Sequence, residues 1–206
     1  MIKSVDGNVY QILELIGTSA GSTLYRASSL QNGSAAVLKV FKSDAMRAEE
    51  IACFYREFEI LQAMDLHGVA KPMALVDEPG RLVMILADIE GESLEVVLSR
   101  DRLDWPACLR LACQLANILA GLHGAHIVHR DIRPVNMMLS AAQKLSLVDL
   151  SRAIRNEPHL IDTGDWPSDG AYDGAYDWAY ISPEQTGRMN RAVDYRTDFY
   201  LSLIHI

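Results

Sequence analysis

Basic residues are scarce in this 206-residue chain: 19 lysines and arginines stand against 27 aspartates and glutamates, a formal net charge of -8. Nucleic-acid and anionic-membrane surfaces are built from clustered Lys and Arg, so this balance argues against both. Cysteine is sparse too. Cys53, Cys108 and Cys113 form an odd count with no CxxC spacing, which suits neither a disulfide framework nor a zinc site and points to a reducing, cytoplasmic setting. The N-terminal MIKSVDGNVYQIL lacks the apolar core of a signal peptide. Long uninterrupted apolar runs are missing as well. The most apolar stretch, 109–128, carries Arg110, Gln114, Asn117 and His123, which argues against a membrane span. What remains is ordinary globular composition, half hydrophobic and 22% charged, with enough length for one large domain or two small lobes.

The pattern of apolar residues changes along the chain. Residues 9–41 read as strands: VYQILELIG and STLYRASSL flank the small-residue turn GTSAGS, QNGS is a hairpin signal, and AAVLKVF is an apolar strand. Over 44–64 the period becomes helical, with Met46, Ile51, Phe54, Phe58, Leu61 and Met64 on one stripe. MALVDEPGRLVMILADI reads as a second hairpin turned at EPG. After residue 90 the chain turns helical. Asp104 before Trp105-Pro106 is an N-cap signal, and Leu109, Ala112, Leu115, Ile118, Leu119 and Leu122 form a stripe that ends near Gly124. Residues 155–178 are rich in Asp, Gly and Pro and read as a long loop. The expectation is an α+β protein: a β-rich lobe with one helix over 1–88, a helical lobe over 89–200, and a cleft between them.

Several polar residues stand in a suggestive order. VHRDIRPVNMML, residues 128–139, holds His129, Arg130 and Asp131, with Asn136 five positions after the Asp. Lys39 lies on the strand AAVLKVF, Glu57 on the helix after it, Asp149 follows the apolar run LSLV, and Ser182-Pro183-Glu184 closes the long loop. Alone, each has an ordinary structural explanation: a surface lysine, a solvated helix glutamate, a turn aspartate. In this order and spacing, over residues 9 to 200, they resemble the eukaryotic-type Ser/Thr protein kinase signature set.

That resemblance implies a two-lobed protein-kinase-like fold and the use of ATP and Mg²⁺. Asp131 is then the base that accepts the proton of a Ser/Thr hydroxyl on a protein substrate, with Arg133 beside the transferred phosphate. Asn136 and Asp149 hold Mg²⁺ through hard oxygen ligands. Lys39, steadied by Glu57, pairs with the nucleotide phosphates. Gly17, Ser19, Gly21 and Ser22 form the phosphate loop, and Leu24, Val37, Ala87, Ile89 and Met138 surround the base of the nucleotide. The sequence departs from the family where Ser19 and Ser22 replace glycines and where Leu150-Ser151 stands for Phe-Gly. These departures carry an alternative reading: a pseudokinase that binds nucleotide and regulates attached modules. A small-molecule kinase fits less well, because the long loop ending in SPE suits a peptide acceptor.

YISPEQTGRMNRAVDYRTDFY and ADIEGESL resemble the kinase-like domain of large multidomain sensor proteins, which implies further domains in the full-length chain. Thr163, Ser168, Tyr172, Tyr176 and Tyr180 are candidate loop phosphosites. Asp198-Phe199-Tyr200 matches the start of the helix on which the family's second lobe is built, where Asp198 ties down the catalytic-loop backbone. The final LSLIHI instead resembles a translated transposon-end sequencing adapter. The expectation is therefore an incomplete second lobe, a non-native tail over 201–206, and a Glu184 left without its usual arginine.

Overall fold

The computed structural model describes residues 2–3, 7–18, 21–41, 48–155, 178–186 and 191–205. Two compact units divide the chain: Met1–Asp65 with Ala70–Ile89, and Leu66–Val69 with Glu90–Ile206.

The first unit is a six-stranded sheet with one helix. Its strands are β1 (Ile2–Lys3), β2 (Val9–Thr18), β3 (Ser22–Ser29), β4 (Ala35–Phe41), β5 (Pro72–Glu78) and β6 (Arg81–Ala87); helix α1 spans Ala48–Gln62. The spatial order is β1-β2-β3-β4-β6-β5, and each neighbouring pair is antiparallel. Side chains alternate across a strand, so β4 serves two environments. Ala36 and Leu38 enter the apolar cluster with Tyr10, Ala27, Val76, Val83 and Ile85, and Val40 packs against it. The odd positions meet α1: Phe41 stacks edge-on against Phe54 at 5.6 Å, and Lys39 reaches Glu57. Helix α1 buries Phe54, Glu57, Ile60 and Leu61, a stripe at 3–4-residue spacing with one carboxylate inside it. Met46 of the expected stripe lies outside the described residues, and Met64 falls beyond the helix end.

The second unit holds β7 (Glu92–Ser93), α2 (Leu94–Arg100), α3 (Trp105–Gly124), β8 (Ile127–Val128), β9 (Met137–Leu139), β10 (Leu145–Leu147), β11 (Ile154–Arg155) and α4 (Tyr195–His205). Short strands make a β10-β9-β7 sheet and a β11-β8 pair. Asp104 caps α3 by accepting from the Ala107 N–H at 2.8 Å, and Pro106 stands in the first turn. The buried stripe of α3 is Leu111, Leu115, Ile118, Leu119 and Leu122. Leu109 was expected on it but is 58% exposed. It precedes Leu115 by six residues, which turns it about 120° away, whereas Leu111 comes within about 40°. Among the described residues no helix is long and apolar enough to cross a membrane.

Gly91 precedes β7 with φ 137°, and a Cβ there would lie 2.4 Å from the Leu139 carbonyl oxygen. Gly80, in the β5–β6 turn, has φ 74° but open space around it. Gly80→Ala therefore meets only left-handed strain, about 1 kcal/mol, whereas Gly91→Ala also drives β7 off β9 and costs about 3 kcal/mol. Urea denaturation of the two variants measures the difference; equal losses would rule out the carbonyl contact as the cause.

Candidate active site

The loop between β8 and β9 is built around one carboxylate. Asp198, on the first turn of α4, is fully buried. Its Oδ2 accepts the His129 N–H at 2.9 Å and its Oδ1 the Arg130 N–H at 2.8 Å. His123 Nε2 lies 2.8 Å from the same Oδ2. These bonds hold Arg130 at φ 68°, a left-handed conformation that costs a bulky residue about 1–2 kcal/mol. The strain is outweighed, since each hydrogen bond to a charged acceptor contributes about 1.5–3 kcal/mol.

The loop then folds back on itself. The Asp131 N–H donates to His129 Nδ1 at 3.2 Å, so that ring nitrogen is the acceptor and Nε2 carries the proton, 3.3 Å from the Val148 carbonyl. Pro134 opens a 3₁₀ turn, Pro134–Asn136, which returns the Asn136 side chain to Asp131. Asn136 Nδ2 donates to the Asp131 carbonyl at 2.9 Å and to its Oδ2 at 2.7 Å. Both side chains are buried. The spacing of five is thus one short turn that aims an amide at a carboxylate. The Val148 N–H donates to the Asn136 carbonyl at 2.9 Å, which docks the segment carrying Asp149 onto the loop. Asp149 has φ 62°, tolerable for an aspartate, and its Oδ1 accepts from the Ser151 N–H at 3.4 Å. Leu150 is buried beside it. Met138 lies on β9, two residues past Asn136, and is half-buried.

The segment from Ser182 onward supports the same loop. Gln185, in the 3₁₀ turn Pro183–Thr186, donates from Nε2 to the Arg130 carbonyl at 2.9 Å. Nothing in the sequence pattern marks this residue, because a polar side chain in a turn has no period to read. The Arg133 guanidinium stacks over the Tyr180 ring at 5.2 Å, and its Nε has no hydrogen-bond partner among the described residues. Glu184 was expected to stand without a partner. Instead the Thr197 hydroxyl donates to its Oε1, because α4 brings Thr197 beside it. At the start of α4 the Arg196 guanidinium, donating to Asp194, holds that carboxyl below the usual range. Its support of the helix start is therefore present above the ordinary carboxylate pKa and lost as pH falls through the lowered one.

In the first unit, Lys39 Nζ lies 2.8 and 2.7 Å from the two carboxylate oxygens of Glu57, and both residues are buried. Leu24 pairs with Lys39 across β3–β4, and Val37 with Leu86 across β4–β6. Gly17 pairs with Leu24, one pair before the β2–β3 register ends at Thr18 and Thr23; a Cβ at Gly17 or Gly21 would meet nothing within 4 Å. Ser22 is buried at the start of β3, and Ser19 lies outside the described residues, as do Thr163, Ser168, Tyr172 and Tyr176. The Ala87 N–H is committed to the Lys71 carbonyl at 2.8 Å, and Ile89, two residues on, is half-buried. Arg26 donates to Asp88 at 3.1 Å and also pairs with Glu14, two contacts with no motif behind them.

The donor set suits a magnesium–nucleotide. Asn136 spends its amide nitrogen on Asp131, so its oxygen would be the atom to meet a cation, and Asp149 would add a carboxylate. Among the described residues no group of three or more His, Cys, Asp or Glu could hold a metal unaided. Mg²⁺ characteristically takes one or two protein oxygens and completes its shell with water and substrate phosphates, so two ligands are sufficient.

Comparison with known proteins gives a consistent match. The family model described as "Protein kinase domain" matches residues 10–202. The serine/threonine-protein kinases pkn3 and pkn2 of Myxococcus xanthus are each 28% identical, over 93% and 95% of this chain. Serine/threonine-protein kinase 10-A of Xenopus laevis is 28% identical over 75% of it. The chain spans 35%, 23% and 16% of those three proteins respectively.

A buried ion pair is costly to halve and cheap to replace whole. Lys39→Met removes the cation from the buried Glu57 carboxylate and lowers stability by about 3–5 kcal/mol, and adding Glu57→Leu restores most of that loss. Urea denaturation of the single and double variants checks it; a double variant no more stable than the single one would contradict this account of the pair.

Proposed function

Since the chain belongs to the protein kinase domain family, we propose that it is a serine/threonine protein kinase domain that transfers the γ-phosphate of ATP to a protein hydroxyl. The observation that carries the proposal is the Asp131 carboxylate, buried and gripped at Oδ2 by Asn136, in a loop pinned from two sides. One oxygen is thereby fixed, and the other is left to take a hydrogen bond and then the proton from a Ser or Thr hydroxyl. As that proton leaves, the hydroxyl oxygen bonds to the γ-phosphorus and the bond to the ADP oxygen breaks.

The remaining roles follow from chemistry. Bound Mg²⁺ supplies neutralisation of the phosphate charge, and Asn136 and Asp149 would hold it. Lys39 would donate to phosphate oxygens, its ammonium steadied by Glu57. Gly17, Ser19, Gly21 and Ser22 would approach the phosphates through backbone and hydroxyl groups. Leu24, Val37 and Met138 would contact the adenine, with backbone groups of the 87–89 segment bonding its edge. Arg133 would place a planar cation near the transferred phosphoryl group, its plane set by Tyr180. A protein acceptor, a cytoplasmic setting and further domains in the full-length protein complete the proposal. The second reading, a nucleotide-binding regulatory domain without turnover, is favoured by the serines at 19 and 22. It is weakened by the open surroundings of Gly17 and Gly21 and by the buried Leu150, which fills its apolar slot.

Asp131→Asn keeps the shape and removes the base. Phosphate incorporation from radiolabelled ATP into Ser/Thr of a casein acceptor should fall at least about a hundredfold. Mg-ATP binding by calorimetry should stay within about threefold, because no proposed nucleotide ligand is lost. Unchanged incorporation would refute the assigned base. Wild-type binding without incorporation would select the regulatory reading.

A further inference from the structure

The peptide that leads into Asp131 is held at both polar ends by side chains. Its carbonyl, that of Arg130, accepts Gln185 Nε2 at 2.9 Å; its N–H, that of Asp131, donates to His129 Nδ1 at 3.2 Å. Asp198 holds the two N–H groups before this peptide and touches neither of its ends. A residue in the left-handed region, as Arg130 is, sits next to a peptide that is readily rotated, because the neighbouring dihedrals compensate for each other with little change in chain path. Something must therefore select the orientation, and the carbonyl end falls to Gln185.

Gln185 is itself fixed. It is buried, and its Oε1 accepts both the Ser182 N–H at 3.1 Å and the Ser182 hydroxyl at 3.0 Å. Two donors on that oxygen settle which end of the amide is which, so the nitrogen faces Arg130. The segment that closes the long loop is thus wired to the peptide carrying the base through a single amide.

We propose that Gln185 is a positioning residue for phosphoryl transfer: it sets the peptide plane before Asp131 and thereby couples the Ser182–Thr186 turn to the base. The proposal rests on the reading of Asp131 as the base. It predicts that kcat responds to Gln185 and that the KM for ATP does not.

Gln185→Met keeps the bulk without the donor. It should lower kcat about tenfold at every pH, the rate equivalent of one ordinary hydrogen bond, with the KM for ATP within about twofold. Gln185→Glu separates positioning from packing. Ionised, it turns an oxygen onto the Arg130 carbonyl; protonated, it donates again. Its kcat should match the Met variant at high pH and climb toward wild type as pH falls through the titration of a buried carboxyl, which lies above the ordinary value of about 4.3. Wild-type kcat in Gln185→Met, or the same pH profile in both variants, would overturn the proposal. If Gln185→Met does not fold, Ser182→Ala, which removes one donor to the Gln185 oxygen, should still lower kcat about two- to threefold with KM unchanged; an unchanged kcat there overturns it too. If wild type transfers no phosphate, the kinase reading fails by itself. The coupling is then judged from the Arg130 carbonyl carbon resonance in arginine-labelled protein. Loss of the hydrogen bond in Gln185→Met shifts it upfield, and an unmoved resonance in a folded variant would sink the coupling.

Discussion

The buried carboxylate of Asp198 is the constraint on which the second unit depends. It accepts two consecutive backbone N–H groups and pairs with His123, joining α3, α4 and the β8–β9 loop at one point. Consecutive N–H groups converge on one acceptor only when the backbone between them takes an unusual turn, and Arg130 at φ 68° is that turn. The loop's conformation is therefore not a local preference of its own sequence. It is imposed from a helix about seventy residues further along the chain.

Once Arg130 is turned, the rest of the loop has few choices. Buried Ile132 anchors it in the core, Pro134 starts the 3₁₀ turn, and Asn136 comes back onto Asp131. The Val148 N–H on the Asn136 carbonyl then places the strand that leads to Asp149. Each step is a buried polar group finding its partner, and such groups are expensive to leave unsatisfied. In the first unit the same principle works through an ion pair. Strand parity puts Lys39 on the α1 side of β4, and helical spacing puts Glu57 on the buried stripe of α1.

Much of this was legible in the sequence, and the gaps have physical causes. The two-residue alternation of AAVLKVF and the helical stripe around Phe54 point to a strand and a helix, but the pairing of Lys39 with Glu57 comes only from the family resemblance, because Glu57 stands off the expected apolar stripe. The spacing of Asp131 and Asn136 is short enough for one turn to close. Leu109 was misplaced because α3 is apolar around much of its circumference, so several stripes fit its sequence about equally well. Thr197 on Glu184 and Gln185 on Arg130 join residues 13 and 55 apart. Neither contact leaves a periodic trace, and both depend on where α4 and the Pro183 turn pack. The loop at 128–139 and its tie to Asp198 could be recognised from the family resemblance; Gln185, which also holds the loop, could not be found before the fold was known.

The most direct test of this account is amide hydrogen exchange at His129 and Arg130 in wild type and in Asp198→Asn. Asparagine keeps the shape but has one acceptor oxygen and an N–H₂ group that faces a backbone donor. Exchange at one or both amides should quicken by about tenfold to a hundredfold, the equivalent of a lost charge-assisted hydrogen bond, while the β9–β10 amides keep their protection. Equal protection in the two proteins at 129 and 130 would show that the loop holds its turn without Asp198, and the constraint placed at the centre of this structure would have to be sought elsewhere.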